Sequence, residues 1–286
     1  MSVIMILKLL LVVSIALMLF ALALRAKLAD LSYLFVHWRL GLGAFAAMFI
    51  VVPAVAIILA RSLDLNPAVK VALIAIAFSP LPPILPGKQI KAGGEACYVT
   101  GLLFGATIAS IVIAPFGVAF AAGIFDVEAA ITPMQVAMPL FVTVLAPLLA
   151  GLALAPMFGD AIPRLSSIMS KIGTALLAVA MIGLIIVLWP AMRAVIGQGT
   201  LIVLCIMIAA GMAAGYFLGG PANGDKAALS LAAATRHPGV AVAIATHAFP
   251  EASLAPAAIV LSVILSTILC IPYLRYMSRK PADASA

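Results

Sequence analysis

Charged side chains are scarce in this sequence: they make up 9% of its 286 residues, where an ordinary soluble domain carries about a quarter. So few cannot solvate a globular surface. Cysteine is scarce too. Cys97, Cys205 and Cys270 lie in apolar runs without CxxC spacing, which excludes a disulfide framework and a zinc site. Three scattered histidines, with neither HExxH nor GxSxG, leave an intramembrane enzyme no metal cluster or nucleophile–base pair. No catalytic residue, resident metal or organic cofactor is therefore expected. The absence of a nucleotide-binding loop removes nucleotide-driven transport by this chain alone. The net charge is +7, yet the basic residues form no stripe with interleaved aromatics, so nucleic acid is not an expected partner.

What is abundant is apolar: 66% of residues. A membrane span needs about 20 mostly apolar residues, and counting on that basis gives nine, near 3–24, 40–60, 67–92, 96–122, 134–158, 168–190, 199–219, 226–249 and 252–274. Lys8 and the Ala21-Leu22-Ala23 stretch loosely imitate a cleaved signal. The apolar run reaches Leu24, long enough to span, and is kept as the first span. Short loops make residues 1–276 one all-α polytopic membrane domain, with residues 277–286 a polar, disordered tail. Lys/Arg bias sets orientation. One face collects Arg25, Lys27, Arg39, Lys88, Lys91, Arg164, Lys171, Lys226, Arg275, Arg279 and Lys280, and the other Lys8, Arg61, Lys70 and Arg193. The expectation is N-terminus outside and C-terminus cytoplasmic, in a membrane of the bacterial inner (plasma) type.

Two spans are interrupted. In the third, Pro80, Pro82, Pro83 and Pro86 lack an N–H and restrict the residue before them, so no regular helix passes through. Gly87, Gly93 and Gly94 follow and allow close backbone approach. In the eighth, an Ala-rich helix breaks around Thr235-Arg236-His237-Pro238-Gly239 and resumes. Broken backbone at membrane depth must be buried in protein or face a water-filled cavity. Matched broken helices in two halves of a chain point to the binding site of a secondary transporter. Four spans precede residue 130 and five follow it. This suggests an inverted repeat whose first copy lacks its first helix, with the third and eighth spans crossing. A mid-membrane charge is costly and functional by default. Arg236 is expected to satisfy freed carbonyls or to bind a carboxylate, with Glu95 as its counter-charge. His237 is read either as a titrating group or as a partner for a free carbonyl. Thr100, Thr107, Ser110 and Thr235 are candidate polar contacts.

At these residues the layout resembles the bile acid:sodium symporter family, including its bacterial and plastid anion-transporting relatives. The stretch 93–105, "GGEACYVTGLLFG", is similar to the family's Gly-Gly-Thr-Ala-Ser-Asn on its first broken helix. The stretch 234–249, "ATRHPGVAVAIATHAF", is similar to its Glu-x-Gly-Met-Gln-Asn-Ser-Gly-Leu-Ala on the second. The resemblance implies a core, about 40–122 and 199–276, holding two crossing broken helices. It also implies a panel, about 3–24, 134–158 and 168–190. A small organic anion would pass between them by alternating access, with the lipid bilayer as the other partner. The departures are specific: Cys97-Tyr98 stand where the family has Ser-Asn, Ala232 where it has Glu, Arg236 where it has Gln, and His237 where it has Asn. A fixed positive charge repels sodium at the same place, so Arg236 either replaces a sodium ion or binds the anionic substrate. Sodium coupling through other ligands, a proton-coupled carrier of the auxin-efflux type using Glu95 or His237, and a non-transporting receptor are the rival readings. The expected site thus comprises Arg236, His237, Glu95, Gly93, Gly94, Gly239, Thr235, Tyr98, Thr100, Pro86 and Pro238.

Overall fold

A computed structural model describes residues 3–124 and 132–278. Within them the protein is helical, with no strand among the described residues. Among the described residues, seven stretches are long and apolar enough to cross a membrane. The all-α polytopic membrane architecture follows. The charges Asp126 and Glu128, and the tail from residue 279, lie outside the described residues.

In chain order, α1 (Val3–Ala23) is followed by a short α2 (Leu28–Val36). The second apolar segment is α3 (Trp38–Phe45), a π-helical turn (Ala46–Val51) and α4 (Val52–Ser62). The third is divided into α5 (Pro67–Phe78) and α6 (Leu85–Lys91), and the fourth is α7 (Ala96–Ile124). Then come α8 (Pro133–Leu140), a second π turn (Phe141–Leu145), α9 (Ala146–Phe158) and α10 (Ile162–Val195). After α11 (Thr200–Leu218), the eighth segment is divided into α12 (Asn223–Ala234) and α13 (Pro238–Ala248), and α14 (Ala255–Met277) closes the chain. The apolar segments read from the sequence coincide with these helices or consecutive helix pairs. One helix was not anticipated. α2 forms inside the stretch read as a loop because Asp30, in its first turn, accepts the Lys27 backbone N–H at 2.8 Å. It lies against α7, where Gly101 and Gly105 leave room for Tyr33 and Leu34.

Lipid tails are as apolar as leucine, so helices in a membrane associate through close packing rather than through a hydrophobic drive. The glycines show where this happens. Gly151 of α9 and Gly173 of α10 sit on the backbone of α1, at Phe20 and Ser14, and Gly183 of α10 faces Leu7. α9 and α10 therefore both pack on α1. Arg25, just past α1, reinforces this by donating to Ser166 Oγ and to the Pro163 carbonyl. On the other side of the molecule Gly211 and Gly215 of α11, and Gly219 just past its end, recur every fourth residue. They meet the backbone of α12 at Ala233, Ser230 and Lys226. The half-helices pack on α14, α4 and α7, and α12 on α6. The largest block of buried side chains is there: residues 227–234 and most of α5 are almost fully covered.

A Cβ at Gly215 would overlap the Ser230 backbone, whereas one at Gly87 meets nothing within 4 Å. Gly215→Leu is expected to cost about 2 kcal/mol or more by overpacking and to lower the melting midpoint in detergent. Gly87→Ala should leave it unchanged or raise it, since alanine is the better helix former.

Candidate functional site

Each break has a local cause. α5 starts at Asn66, whose side chain caps the Ala68 N–H at 2.9 Å. It ends at Ser79, which is extended (φ −78°, ψ 152°) as the residue before a proline should be. Ser79 Oγ turns back to donate to the Ile76 carbonyl at 2.9 Å. Pro80, Pro82 and Pro83 keep the chain non-helical until α6. There Pro86 occupies the first turn, a position that needs no N–H. α12 ends at an extended Thr235, whose hydroxyl donates to Leu231 O at 2.6 Å. His237 then caps α13, its Nδ1 accepting the Val240 N–H at 3.3 Å, with Pro238 in the first turn.

The two breaks touch. The His237 backbone N–H donates to the Pro80 carbonyl at 2.8 Å. Arg236, 6% exposed, extends Nη1 to the Ser79 carbonyl at 3.0 Å and Nη2 to the Met48 carbonyl. Met48 lies in the first π turn, where the wider winding alters the carbonyl pattern of the helix. The guanidinium carbon also sits 5.9 Å from the centre of the Phe49 ring. One side chain thus ties three interrupted stretches together. Its Nε has no partner among the described residues, and the residue borders a small void shared with Ser262 and Ser266. Burying a lone cation is expensive. The compensation seen is a pair of charge-assisted bonds, each worth about 1.5–3 kcal/mol, to carbonyls that the breaks would otherwise leave bare.

Glu95 is not the counter-charge of Arg236. It is exposed and accepts a hydrogen bond from Tyr33 Oη of α2 at 2.9 Å, while Arg236 is engaged by Ser79 and Met48. The reason is the place of the break. The chain leaves the helix at Ser79 and resumes at α6, so Gly93, Gly94 and Glu95 fall at the α6–α7 turn, one helix beyond the crossing. The stretch 93–105 is therefore the turn and the start of α7, not the interruption of the first broken helix. Gly93 takes φ +95° there, and Gly224 approaches it so closely that a Cβ would overlap its carbonyl. Gly94 packs on Ala228, and Gln89 Nε2 donates to the Ala228 carbonyl at 2.7 Å. Tyr98 is fully buried, its ring 6.2 Å from that of Tyr33, and Thr100 is buried on the same helix. These residues form a second cluster with α2 and the start of α12. Within it, burial and the Glu95 carboxylate hold the Tyr33 phenol above its usual range, so it stays protonated as a donor.

Two cavities lie between the crossing and the α1–α10 pair. One, about 430 Å³, is lined by Pro82–Leu85, Lys88, Thr235, Arg236 and faces of α10 and α14. The other, about 460 Å³, is lined by Gly239, Thr246, His247 and further faces of α10 and α14. Both sizes suit a small organic ligand. Leu11, Ile15, Met181, His237 and Pro238 border both cavities. The three apolar residues and Met48 were not legible as site residues, because in sequence they look like any lipid-facing side chain.

Residues 12–203, about two thirds of the chain, match the family model described as Sodium Bile acid symporter family. The match runs from within α1 to the start of α11 and stops before the second broken helix. No curated protein matches this chain.

Arg236→Met is expected to strand two buried carbonyls and lower stability by about 3 kcal/mol, seen as a lower melting midpoint in detergent. Arg236→Lys, which keeps the charge but lacks the two-pronged fork, should lose less.

Proposed function

The chain belongs to the sodium bile acid symporter family, and from that premise we propose that it is a secondary transporter of a small organic anion. The mechanism is alternating access. The core, about 40–122 and 199–276, holds the crossed breaks, and the panel, about 3–24, 134–158 and 168–190, moves against it. The carrying observation is that two ligand-sized cavities flank one crossing and share a single wall. Leu11 and Ile15 of α1 and Met181 of α10 form the panel side of that wall. His237 and Pro238 form the core side.

The interfaces support the division. Arg236, His237 and Gln89 pin core helices to one another with hydrogen bonds, whereas the wall between the cavities is met from the panel by aliphatic side chains and a methionine. Contacts of that kind slide at little cost, since no directional bond has to be broken. With the N-terminus outside and the C-terminus cytoplasmic, the basic excess of the loops falls inside. The cavity bordered by Lys88 then opens toward the cytoplasm and the one bordered by His247 toward the outside.

Transport is independent of sodium. Arg236 places a permanent positive charge at the crossing and ties it to carbonyl oxygens of the kind that would coordinate a cation there. Nη1 and Nη2 each donate to a carbonyl, of Ser79 and of Met48, which fixes the guanidinium at the crossing, so Arg236 acts as the fixed substitute for an ion there.

Reconstituted into proteoliposomes, the protein should mediate organic-anion counterflow at equal initial rates in sodium and in choline media. Counterflow that appears only with sodium would overturn the substitution by Arg236 and favour a sodium symporter using other ligands.

A further inference from the structure

His237 is the polar side chain common to both cavities, and its ring chemistry is set by the fold. The Val240 N–H donates to Nδ1 at 3.3 Å, and a backbone N–H can only donate. Nδ1 is therefore an acceptor without a proton, and the proton of the neutral ring sits on Nε2. Placing a proton on Nδ1 would break the cap that starts α13. A second cation next to the buried Arg236, with Lys88 bordering one of the two cavities, would add like-charge repulsion. The Nε2–H group has no partner among the described residues and the residue is 1% exposed. A buried donor left without an acceptor carries a standing penalty, which an incoming acceptor removes.

We infer that the Nε2–H of His237 is the substrate's anchoring donor, taking a carboxylate or other acceptor oxygen of an amphipathic ligand whose apolar body fills the cavity on either side. This rests on the transport reading above and deepens it. The donor is closed off in the present conformation. Leu11 and the His237 ring both lie within van der Waals reach of a Cβ built on Gly239, so α1 packs beside the ring and its withdrawal would open that side. Because His237 borders both cavities, the same atom holds the oxygen whether the substrate has entered from the Lys88 side or the His247 side. The remainder of both walls is predominantly aliphatic, with threonines 174, 235 and 267 on one side and 143 and 246 on the other. The fitting ligand therefore carries one acceptor group on a compact apolar body.

The test uses phenyl-substituted straight-chain carboxylates, from phenylacetate to 6-phenylhexanoate, and the primary amines of the same lengths, which have the same body but no acceptor oxygen. Affinity is read from the rise of the melting midpoint of the purified protein with ligand concentration. Wild type should be stabilised by at least one carboxylate and by none of the amines. In His237→Asn, the asparagine oxygen continues to cap α13, so the ligand-free midpoint should stay close to wild type. The asparagine Nδ2 amide still donates but ends one atom short of where Nε2 stood, so the donor is withdrawn from the ligand and carboxylate affinity should fall about tenfold. Should that variant prove unstable, ring-¹⁵N-labelled wild type carries the test. The His237 resonance should report protonated Nε2 and unprotonated Nδ1, and Nε2 should shift on adding the stabilising carboxylate. Equal carboxylate affinity in His237→Asn, or a proton on Nδ1, overturns the assignment. If wild-type vesicles still carry the carboxylate in that case, the transport reading stands without this donor. If wild type neither binds nor carries any of the series, both fall.

Discussion

A helix interrupted inside a membrane has to find partners for the backbone groups it frees, because hydrocarbon supplies none. In this protein that constraint is met at one point. Two interruptions, 79–84 and 235–237, are placed against each other, so that the His237 N–H of one satisfies the Pro80 carbonyl of the other. Arg236 then covers the carbonyls of Ser79 and Met48. The balance of magnitudes favours keeping the arginine. Desolvating its charge costs several kcal/mol, but two charge-assisted bonds return a comparable amount, and removing the side chain would expose two buried acceptors at about 1–3 kcal/mol each. The proline-rich breaks, the π turn in the second span and the buried cation are mutually dependent. Each would be a defect without the others.

Around this crossing the molecule uses two kinds of adhesion. Glycine faces let backbones meet: α11 against α12, and α9 and α10 against α1. These contacts depend on shape and resist separation. The wall between the two cavities is different in kind, since the α1 and α10 side chains that reach it are apolar and make no hydrogen bond to the crossing. Rigid units bounded by an unbonded seam are the physical precondition for the motion proposed here, and the seam passes beside the buried ring of His237.

Much of this architecture was legible in the sequence. Apolar run length located the spans, since nothing but burial in lipid explains so many residues without charge. Pro80, Pro82 and Pro83 located the first break because three prolines in four residues leave a helix too few N–H groups to continue. The single prolines Pro115, Pro190 and Pro272, by contrast, sit inside continuous helices. Pro238 marked the restart after the second break, in the first turn of α13. The failures have equally definite causes. Pro86 looked like part of the interruption, yet it sits in the first turn of α6, where proline is tolerated. With α6 unrecognised, Gly93, Gly94 and Glu95 appeared to lie at the crossing when they belong to the next turn. Met48 was missed because what it contributes is a carbonyl: the π winding sends the Val52 N–H to Ala47, and Pro53 has no N–H to offer Met48 in its place. Leu11, Ile15 and Met181 were invisible because facing a cavity and facing lipid require the same residue types. The tautomer of His237 follows from a cap that forms only once α13 begins at Pro238.

The central claim is that α1 and α10 move against a fixed crossing, and one paired measurement tests it. A Cβ on Gly239 would lie 3.3 Å from Leu11 Cδ2, so cysteines at positions 11 and 239 face each other across the seam, and a bridge forms where their Cβ atoms approach to about 4 Å. They would be introduced into a background in which Cys97, Cys205 and Cys270 are replaced by alanine, and counterflow would be compared before oxidation, after it and after reduction. The account predicts transport in the reduced protein, its loss on forming the bridge and its recovery when the bridge is reduced. Undiminished transport by fully bridged protein would contradict it.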